Sequence, residues 1–519
     1  MKPRILWTDD EIDLLRPHIL FLEEKGYDII TASNGDDAID LVQEQRLDLM
    51  FLDENMPGKS GLETLSLIKE IKPSLPVIMI TKSEEEDIME AAIGSQITDY
   101  LIKPVNPKQI LLSIKKNLDT KKLVDKETTQ AYQSTFGQIG MQITMANNFD
   151  DWADIYKKLI YWELQLDQSE SESMAEVLQM QKTEANTQFA KFIKSNYLKW
   201  FKANNEDKPL LSPSIVKSSV LPLLKDGYKT VFIVIDNLRY DQWKILQPIV
   251  EEEYLVQEDK SYCSILPTAT QYARNAIFAG LMPAEISKMH ADLWLNDDEE
   301  GGKNQYEDQL LLAQLKRAGY NGKTFFEKVS NQKTGQRVVD QINNILQNDF
   351  IALVYNFVDM LSHANTDVEM VRELASDDRA YRSITRSWFQ FSELKQLLKR
   401  LAEEKVKVII TTDHGTIRVN SPVKVVGDRN TSKNLRYKLG RNLNYNAKDV
   451  FDITKPEEAH LPKSNVSSRY IFACNTDYLV YPNNYNHFVK YYTNTYQHGG
   501  ISMEEMIIPL ITLIPKQLG

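Results

Sequence analysis

Four short stretches of the 519-residue chain place carboxylates and imidazoles where apolar runs end. TVFIVIDNLRYD, from 230, reaches Asp236 after a continuous apolar run. FIALVYNF (350–357) leads into VDMLSH, where Asp359 and His363 stand four residues apart and share a face if the segment is helical. KVIITTDHG (407–415) sets Asp413 beside His414, and YQHGGIS sets His498 before two glycines. Asp and His at strand ends are typical metal ligands, and this mixed donor set suits Zn²⁺. Six ligands are too many for one tetrahedral zinc and about right for two. A nucleophile is expected between Asp236 and Asp359. There SILPTATQYARNAIFAG (264–280) offers Thr268 and Thr270 at the entry to a helix, where backbone N–H groups also favour a phosphate. Arg274 could bind a phosphate oxygen or form an ordinary helix salt bridge. Asn237 and Asn356, near strand ends, are further phosphate contacts to consider.

A second polar set lies near the N-terminus. Strands are expected at RILWT (4–8), YDIITA (27–32), DLMFLD (48–53), PVIMIT (76–81) and DYLIK (99–103), alternating with helical patterns such as DAIDLVQEQ and LETLSLIKEI. Five βα units predict a doubly wound parallel sheet, which binds ligands at its carboxyl edge. Asp9, Asp10 and Asp53 would gather there. Three carboxylates repel unless a cation joins them, and hard oxygen ligands suit Mg²⁺. Lys103 can neutralise what remains. Pro17, inside the expected first helix, predicts that this helix is shortened or kinked.

Between these regions, residues 119–208 show apolar residues at helical spacing and only two glycines, Gly137 and Gly140. They predict a small helical bundle, with Trp152, Trp162 and Trp200 as core or interface residues. No helix-turn-helix pattern is present, which argues against a DNA-binding output. The C-terminal α/β region begins near Pro209. His18, His290, His460 and His487 read as ordinary surface or core residues.

Bulk composition narrows the class. Hydrophobic residues make up 42%, enough for a packed core in each domain, and the formal charge is −12. That charge excludes a surface that grips nucleic acid everywhere, but not a local patch. Residues 424–448 hold seven Lys or Arg and one acid, Asp428, a local charge of +6. Lys433, Arg436, Lys438 and Arg441, with Tyr437 and Tyr445 among them, could form an arm that holds a polyanion and stacks a base. A solvated loop is the plainer alternative. The two cysteines, Cys263 and Cys474, imply no disulfide framework. MKPRILWTDD is not a signal peptide, and no apolar stretch approaches the roughly 18 residues of a membrane helix. A cytoplasmic protein with no membrane partner is expected.

TDDE, FLDENMPG, MITK and YLIKP, in this order over residues 1–118, resemble the receiver domain of response regulators, a flavodoxin-like doubly wound fold. The resemblance implies that Asp53 is the phosphoacceptor. Asp10, Asp53 and the carbonyl of Asn55 would hold Mg²⁺ with Asp9 assisting, Thr81 would follow the phosphoryl group, and Tyr100 would be the switch aromatic. VIDNLRYD, LPTATQYARNAIFAG, DMLSH, TTDHG and QHGG, over about 209–519, resemble the PglZ branch of the alkaline phosphatase superfamily. This implies Thr270 as nucleophile, by the superfamily's PTxT pattern, with Thr268 as the alternative. One zinc would be held by Asp236, Thr270, Asp413 and His414, and the other by Asp359, His363 and His498. The C/S-x-P-x-R setting of sulfatases is missing, so sulfate ester cleavage is not expected. A receiver, a helical linker (119–208) and a PglZ domain together resemble PorX-type response regulators. That resemblance implies a partner histidine kinase, dimerisation on phosphorylation, and phosphodiesterase activity on cyclic or linear oligonucleotides. It also implies a link to type IX secretion and allows contact with a sigma factor. The alternative is a signalling adaptor whose metal domain binds such a factor without essential catalysis.

Overall fold

The computed structural model describes residues 2–82, 97–168, 172–202, 206–297, 299, 301–428, 431–463 and 465–516. The chain divides into two compact units, Met1–Ala131 with Gln168–Ser171, and Tyr132–Asp167 with Glu172–Gly519.

The first unit is built on five parallel strands: β1 (Arg4–Thr8), β2 (Asp28–Ala32), β3 (Leu49–Asp53), β4 (Val77–Thr81) and β5 (Asp99–Ile102). Their order is β2-β1-β3-β4-β5, the doubly wound order the sequence predicts. Alternate residues serve opposite cores. Leu6, Met50, Leu52 and Met79 pack on one face, and Ile5, Trp7, Phe51, Ile78 and Ile80 on the other. Both faces are covered, so β3 and β4 read as continuous apolar runs rather than alternating ones. Registers Thr8↔Leu52, Asp53↔Ile80 and Thr81↔Ile102 level the carboxyl ends into one polar edge. Pro17 acts by setting where a helix starts. A 3₁₀ turn, Ile12–Leu15, precedes α1 (Arg16–Glu24), and the proline falls in its first turn, where its missing N–H costs nothing. Ser60 and Glu63 cap α3 (Gly61–Ile71) reciprocally; α2 spans Gly35–Glu44 and α4 Pro107–Ile114. The fourth helix expected of this fold lies outside the described residues.

In the second unit, β6 (Thr230–Ile235), β7 (Tyr254–Cys263), β8 (Thr324–Val329), β9 (Phe350–Tyr355), β10 (Lys407–Thr411) and β14 (Ile507–Pro515) form a mixed sheet. The spatial order is β7-β14-β10-β6-β9-β8. The four strands β10, β6, β9 and β8 are parallel; at one side β14 runs antiparallel to β10, and β7 antiparallel to β14. Registers Thr411↔Val234 and Ile235↔Tyr355 bring the carboxyl ends of β10, β6 and β9 level. Asp236, Asp413 and the segment leading to Asp359 emerge at that edge. The linker helices α5 (Thr120–Met145, from Tyr132 on), α6 (Phe149–Asp167) and α7 (Glu172–Asn196) share this unit's core. Trp152, Tyr156, Phe189 and Trp200 belong to one continuous apolar cluster with Ile233, Ile410 and Ile507, and Trp162 packs against it.

A smaller antiparallel sheet, β11 (Tyr437–Gly440), β12 (Val450–Ile453) and β13 (Arg469–Ala473), corrects the expectation of a capture arm. Strand β11 and Arg436 before it are buried, not solvated. Arg436 is fully buried and ion-paired to Glu505 at 2.6 Å. Lys438 is also buried, with Nζ 4.4 Å from the centre of the Tyr481 ring. Tyr437 lies in the core and donates to Asp297, 3.0 Å away, and Tyr445 is half-buried against Asp452. Of the four basic residues named for the arm, only Lys433 and Arg441 are exposed. Charge counting missed this because it does not distinguish a strand that alternates around a core from a loop.

Burial pushes the Lys438 amine from 10.5 down to about 7. The folded chain therefore holds this proton less readily than the unfolded chain, and stability falls as pH drops from about 10 to about 7. Lys438→Met should be more stable than the parent at pH 6 and show a shallower pH dependence between 7 and 10. Urea unfolding at pH 6 and pH 9 measures both. A variant that loses stability equally at the two values contradicts this account.

Candidate metal-dependent catalytic site

The six Asp and His residues singled out in the sequence come together as two triads. Asp236, Asp413 and His414 form one, and Asp359, His363 and His498 the other. Within each, one ligand atom per residue lies within 4.8 Å of the others. The His414 and His498 rings stack at 4.2 Å, which sets the triads side by side.

Local structure aims each side chain. Asp236 follows β6, and Asn237 then turns the chain with a positive φ of 65°. Asp413 and His414 follow β10. Asp413 Oδ1 accepts from the Asn237 N–H (3.3 Å), the His414 N–H (3.1 Å) and the Thr412 hydroxyl (3.3 Å). Its other oxygen, Oδ2, is buried and accepts no hydrogen bond among the described residues. Asp359 and His363 share one face of α10 (Phe357–Asp367), with Asp359 Oδ2 3.5 Å from His363 Nε2. Asn237 Nδ2 donates to Asp359 Oδ1 (3.4 Å) and to Ser362 Oγ (3.0 Å). Asn237 Nδ2 is thus committed to Asp359 and Ser362.

Both buried imidazoles are fixed by carbonyl oxygens. His414 Nδ1 faces Gly415 O at 3.1 Å, and His498 Nδ1 faces Thr268 O at 3.2 Å. A carbonyl only accepts, so each Nδ1 carries the proton and each Nε2 keeps its lone pair for the site. Burial holds His498 well below its ordinary pKa, so it is neutral. The Nε2 atoms turned to the site and the open Asp413 oxygen fit divalent cations.

Thr270 opens α9 (Thr270–Ala279), so the free N–H groups of the first turn lie beside its hydroxyl. Its Oγ1 is 3.1 Å from His414 Nε2 and 3.5 Å from Asp236 Oδ1. Thr268 is engaged elsewhere: its hydroxyl donates to Gly500 O (2.9 Å) and accepts from the Gly499 N–H (3.1 Å). The structure therefore sets Thr270, rather than Thr268, against the triad.

Arg274 is corrected from the role of phosphate ligand. It is buried and donates to Asp236 Oδ2 at 2.6 Å and Glu307 Oε1 at 2.7 Å, with Asp413 Oδ2 3.9 Å away. Burial still drives the Asp236 carboxyl well above its ordinary pKa. Asp413 lies below its own despite burial, because the Arg274 guanidinium faces it and the Asn237 N–H donates to it.

Sequence reading passed over Glu505. Its carboxylate accepts from the Gly500 N–H (2.9 Å) and from Arg436, and its backbone carbonyl accepts from the Gly415 N–H (3.3 Å). One residue thus holds the loops that carry His498 and His414. Ser502 and Glu505 are spaced S-x-x-E, and Ser502 Oγ accepts from the Glu505 N–H, a helix-start signature legible in the sequence.

In the first unit, Asp9, Asp10 and Asp53 also bring carboxylate oxygens within 4.8 Å of one another. Lys103 Nζ lies 2.9 Å from Asp9 and 3.0 Å from Asp53. Burial, with Asp9 and Asp10 nearby, raises the Asp53 carboxyl even so. The Thr81 hydroxyl donates to Glu54 at 2.6 Å. Asn55 is exposed just past Asp53, and Tyr100 on β5 is 38% exposed.

Comparison with known proteins places these sites in families. The model of the BREX system PglZ alkaline phosphatase-like domain matches residues 215–513, more than half of the chain. The PorX response regulator linker domain matches 122–201, and the response regulator receiver domain 5–115. The transcriptional regulatory protein ResD of Bacillus subtilis is 38% identical over 114 residues, 22% of this chain and 47% of ResD. The alginate biosynthesis transcriptional regulatory protein AlgB of Pseudomonas aeruginosa is 36% identical over 120 residues, 23% of this chain and 27% of AlgB. The chain thus spans half or less of the length of these relatives. A CheY-like receiver domain protein from Methanospirillum hungatei, of known structure, is 27% identical, with 23% of this chain and 95% of that one covered at a TM-score of 0.23. Among the described residues, no helix is long and apolar enough to cross a membrane. The chain belongs to the PglZ alkaline phosphatase-like family, and it carries a response regulator receiver domain and a PorX linker domain ahead of the PglZ domain, in that order.

Proposed function

We propose that the second unit is a two-zinc phosphodiesterase with Thr270 as nucleophile, and that phosphorylation of Asp53 by a sensor histidine kinase controls it. The observation that carries this reading is the Thr270 hydroxyl, 3.1 Å from His414 Nε2 in the first turn of a helix. Alkaline phosphatase-like and receiver domains typically use divalent metals. Asp236, Thr270, Asp413 and His414 would hold one Zn²⁺, Asp359, His363 and His498 the other, and Asp10, Asp53 and the Asn55 carbonyl a Mg²⁺ in the receiver. Two such zinc ions supply Lewis acidity and charge stabilisation for displacement at phosphorus.

The chain's own residues account for the rest. The N–H groups that open α9 face the phosphate. Arg274 balances Asp236 and Asp413 without occupying the space in front of Thr270. Thr270 Oγ attacks phosphorus, its proton leaves with the departing alkoxide, and the phosphorus, still carrying its second ester group, stays on Thr270 as a threonine phosphodiester that water then cleaves to a phosphomonoester. His363 is 65% exposed, which leaves the second triad open to the leaving group and to water. The substrates are cyclic or linear oligonucleotides, and the setting is a cytoplasmic regulator of type IX secretion. Lys433 and Arg441 supply the exposed charge for such a polyanion.

Thr270→Ala should abolish turnover of a chromogenic bis-phosphodiester by zinc-loaded protein while leaving zinc stoichiometry at two. Equal rates for variant and parent would overturn the enzymatic reading and favour an adaptor.

Acyl phosphate at Asp53 offers the Thr81 hydroxyl a new acceptor in place of Glu54, and Tyr100 follows. Beryllofluoride with Mg²⁺ should shift the protein from monomer toward dimer, and Asp53→Ala should not respond. Light scattering at several concentrations reads both; an unchanged parent, or a variant that responds equally, counts against the proposal.

A further inference from the structure

The linker helices place four polar side chains inside the second unit, where they meet a buried ionic network. Arg382, on α11 (Asp378–Phe391), is its centre. Its guanidinium donates to Glu163 (3.0 Å) and Asp167 (2.6 Å) of α6, and to Asp241 (2.8 Å) of α8 (Tyr240–Val250). Asp241 also accepts two hydrogen bonds from Arg239, at 2.9 and 2.6 Å. Arg239 reaches Asp378 at 2.7 Å and lies about equally far from the Tyr381 and Tyr496 rings, at 5.5 and 5.6 Å. From α7, Lys182 pairs with Glu163 at 2.6 Å, and Asn186 donates to Glu504 at 2.9 Å.

Every inner end of this network lies against a segment that carries a site residue. Arg239 is three residues past Asp236. A Cβ on Gly415, next to His414, would meet the Glu504 carbonyl carbon and oxygen and would lie 3.4 Å from Arg239 Cγ. Tyr496, two residues before His498, donates to Asp378 at 3.1 Å. The acids at the outer end come from the linker alone. Stability gives little reason for such an arrangement, because a buried ionic cluster is often no better than apolar residues of the same volume. A cavity of about 490 Å³, whose lining includes Arg239, Arg382, Lys182 and Glu504, lies beside the network, so these charges are not packed solid on that side.

We propose that Arg382 and Arg239 are positioning residues that transmit the placement of linker helix α6 to Asp236, His414 and His498. The proposal rests on the reading of those residues as metal ligands. If α6 shifts, Glu163 and Asp167 leave Arg382, Arg382 turns to Asp241, and the hold of Asp241 on Arg239 weakens. The three ligand segments then lose their common fixture.

The test uses the full chain with two variants at the linker end, Glu163→Gln and Asp167→Asn, which keep shape and remove charge. Arg382→Lys is the conservative variant at the centre. Zinc affinity is read by titration against a competing chelator, and kcat and KM are read separately on the chromogenic diester. The expected result is zinc affinity weakened about tenfold, as for outer partners of metal ligands. A fall in kcat at constant KM should accompany it, with Tm changed little and Arg382→Lys intermediate. Unchanged zinc affinity and kcat in both linker variants, with or without a lower Tm, would overturn the proposal and leave the network purely structural. If the parent itself binds no zinc, the metal reading fails first and takes this inference with it, a result the parent titration shows separately.

Discussion

Three aspartates, Asp236, Asp359 and Asp413, converge on one sheet edge, and their mutual repulsion in a largely buried setting is the constraint the second unit is built to satisfy. Arg274 stands between two of them and is itself balanced by Glu307. The hydrogen bonds to Asp413 are gathered on one oxygen, which leaves the other for the site. Both imidazoles that face the carboxylates are anchored through Nδ1 by carbonyls behind them, which turns Nε2 to the site. The charge balance that these side chains leave unfinished is one that a divalent cation would complete.

The first unit meets the same difficulty on a smaller scale. Asp9 and Asp53 are buried at the carboxyl edge of its sheet, and Lys103 spans them. The lysine is half of the answer, since Asp10 remains exposed beside the pair and the Asp53 carboxyl remains raised. In both units the candidate site lies where strands end, because the strands behind it are sealed by apolar residues on both faces.

Much of this was legible in the sequence. Continuous apolar runs ended by Asp or His located β6, β9 and β10 and their site residues, because a buried parallel strand must change character abruptly where it meets the site. The ordered motifs implied which residues group together, although they lie up to 262 positions apart along the chain. What sequence could not show is where a charged side chain is buried. Arg436 and Lys438 look like neighbours of Lys433 and Arg441, yet they sit inside the protein, because β11 pairs with β13 far along the chain. Arg274 sits one helical turn from Thr270, where spacing left a phosphate contact and a salt bridge equally open; its partners are Asp236 after β6 and Glu307. Composition and spacing record local periodicity, and these outcomes were decided by distant pairings.

The sharing of one core by α6, α7 and the C-terminal sheet bears on how this protein can be divided. Trp152, Phe189 and Trp200 cover apolar surface that the segment from 209 onward cannot cover by itself. A genetic fusion or truncation cut at 209 would expose that surface to water and invite aggregation. A cut before Tyr132 would leave the core intact. The smallest portable PglZ module is therefore longer than the stretch that carries its motifs, and any chimera with a different receiver has to inherit the helices along with the candidate site.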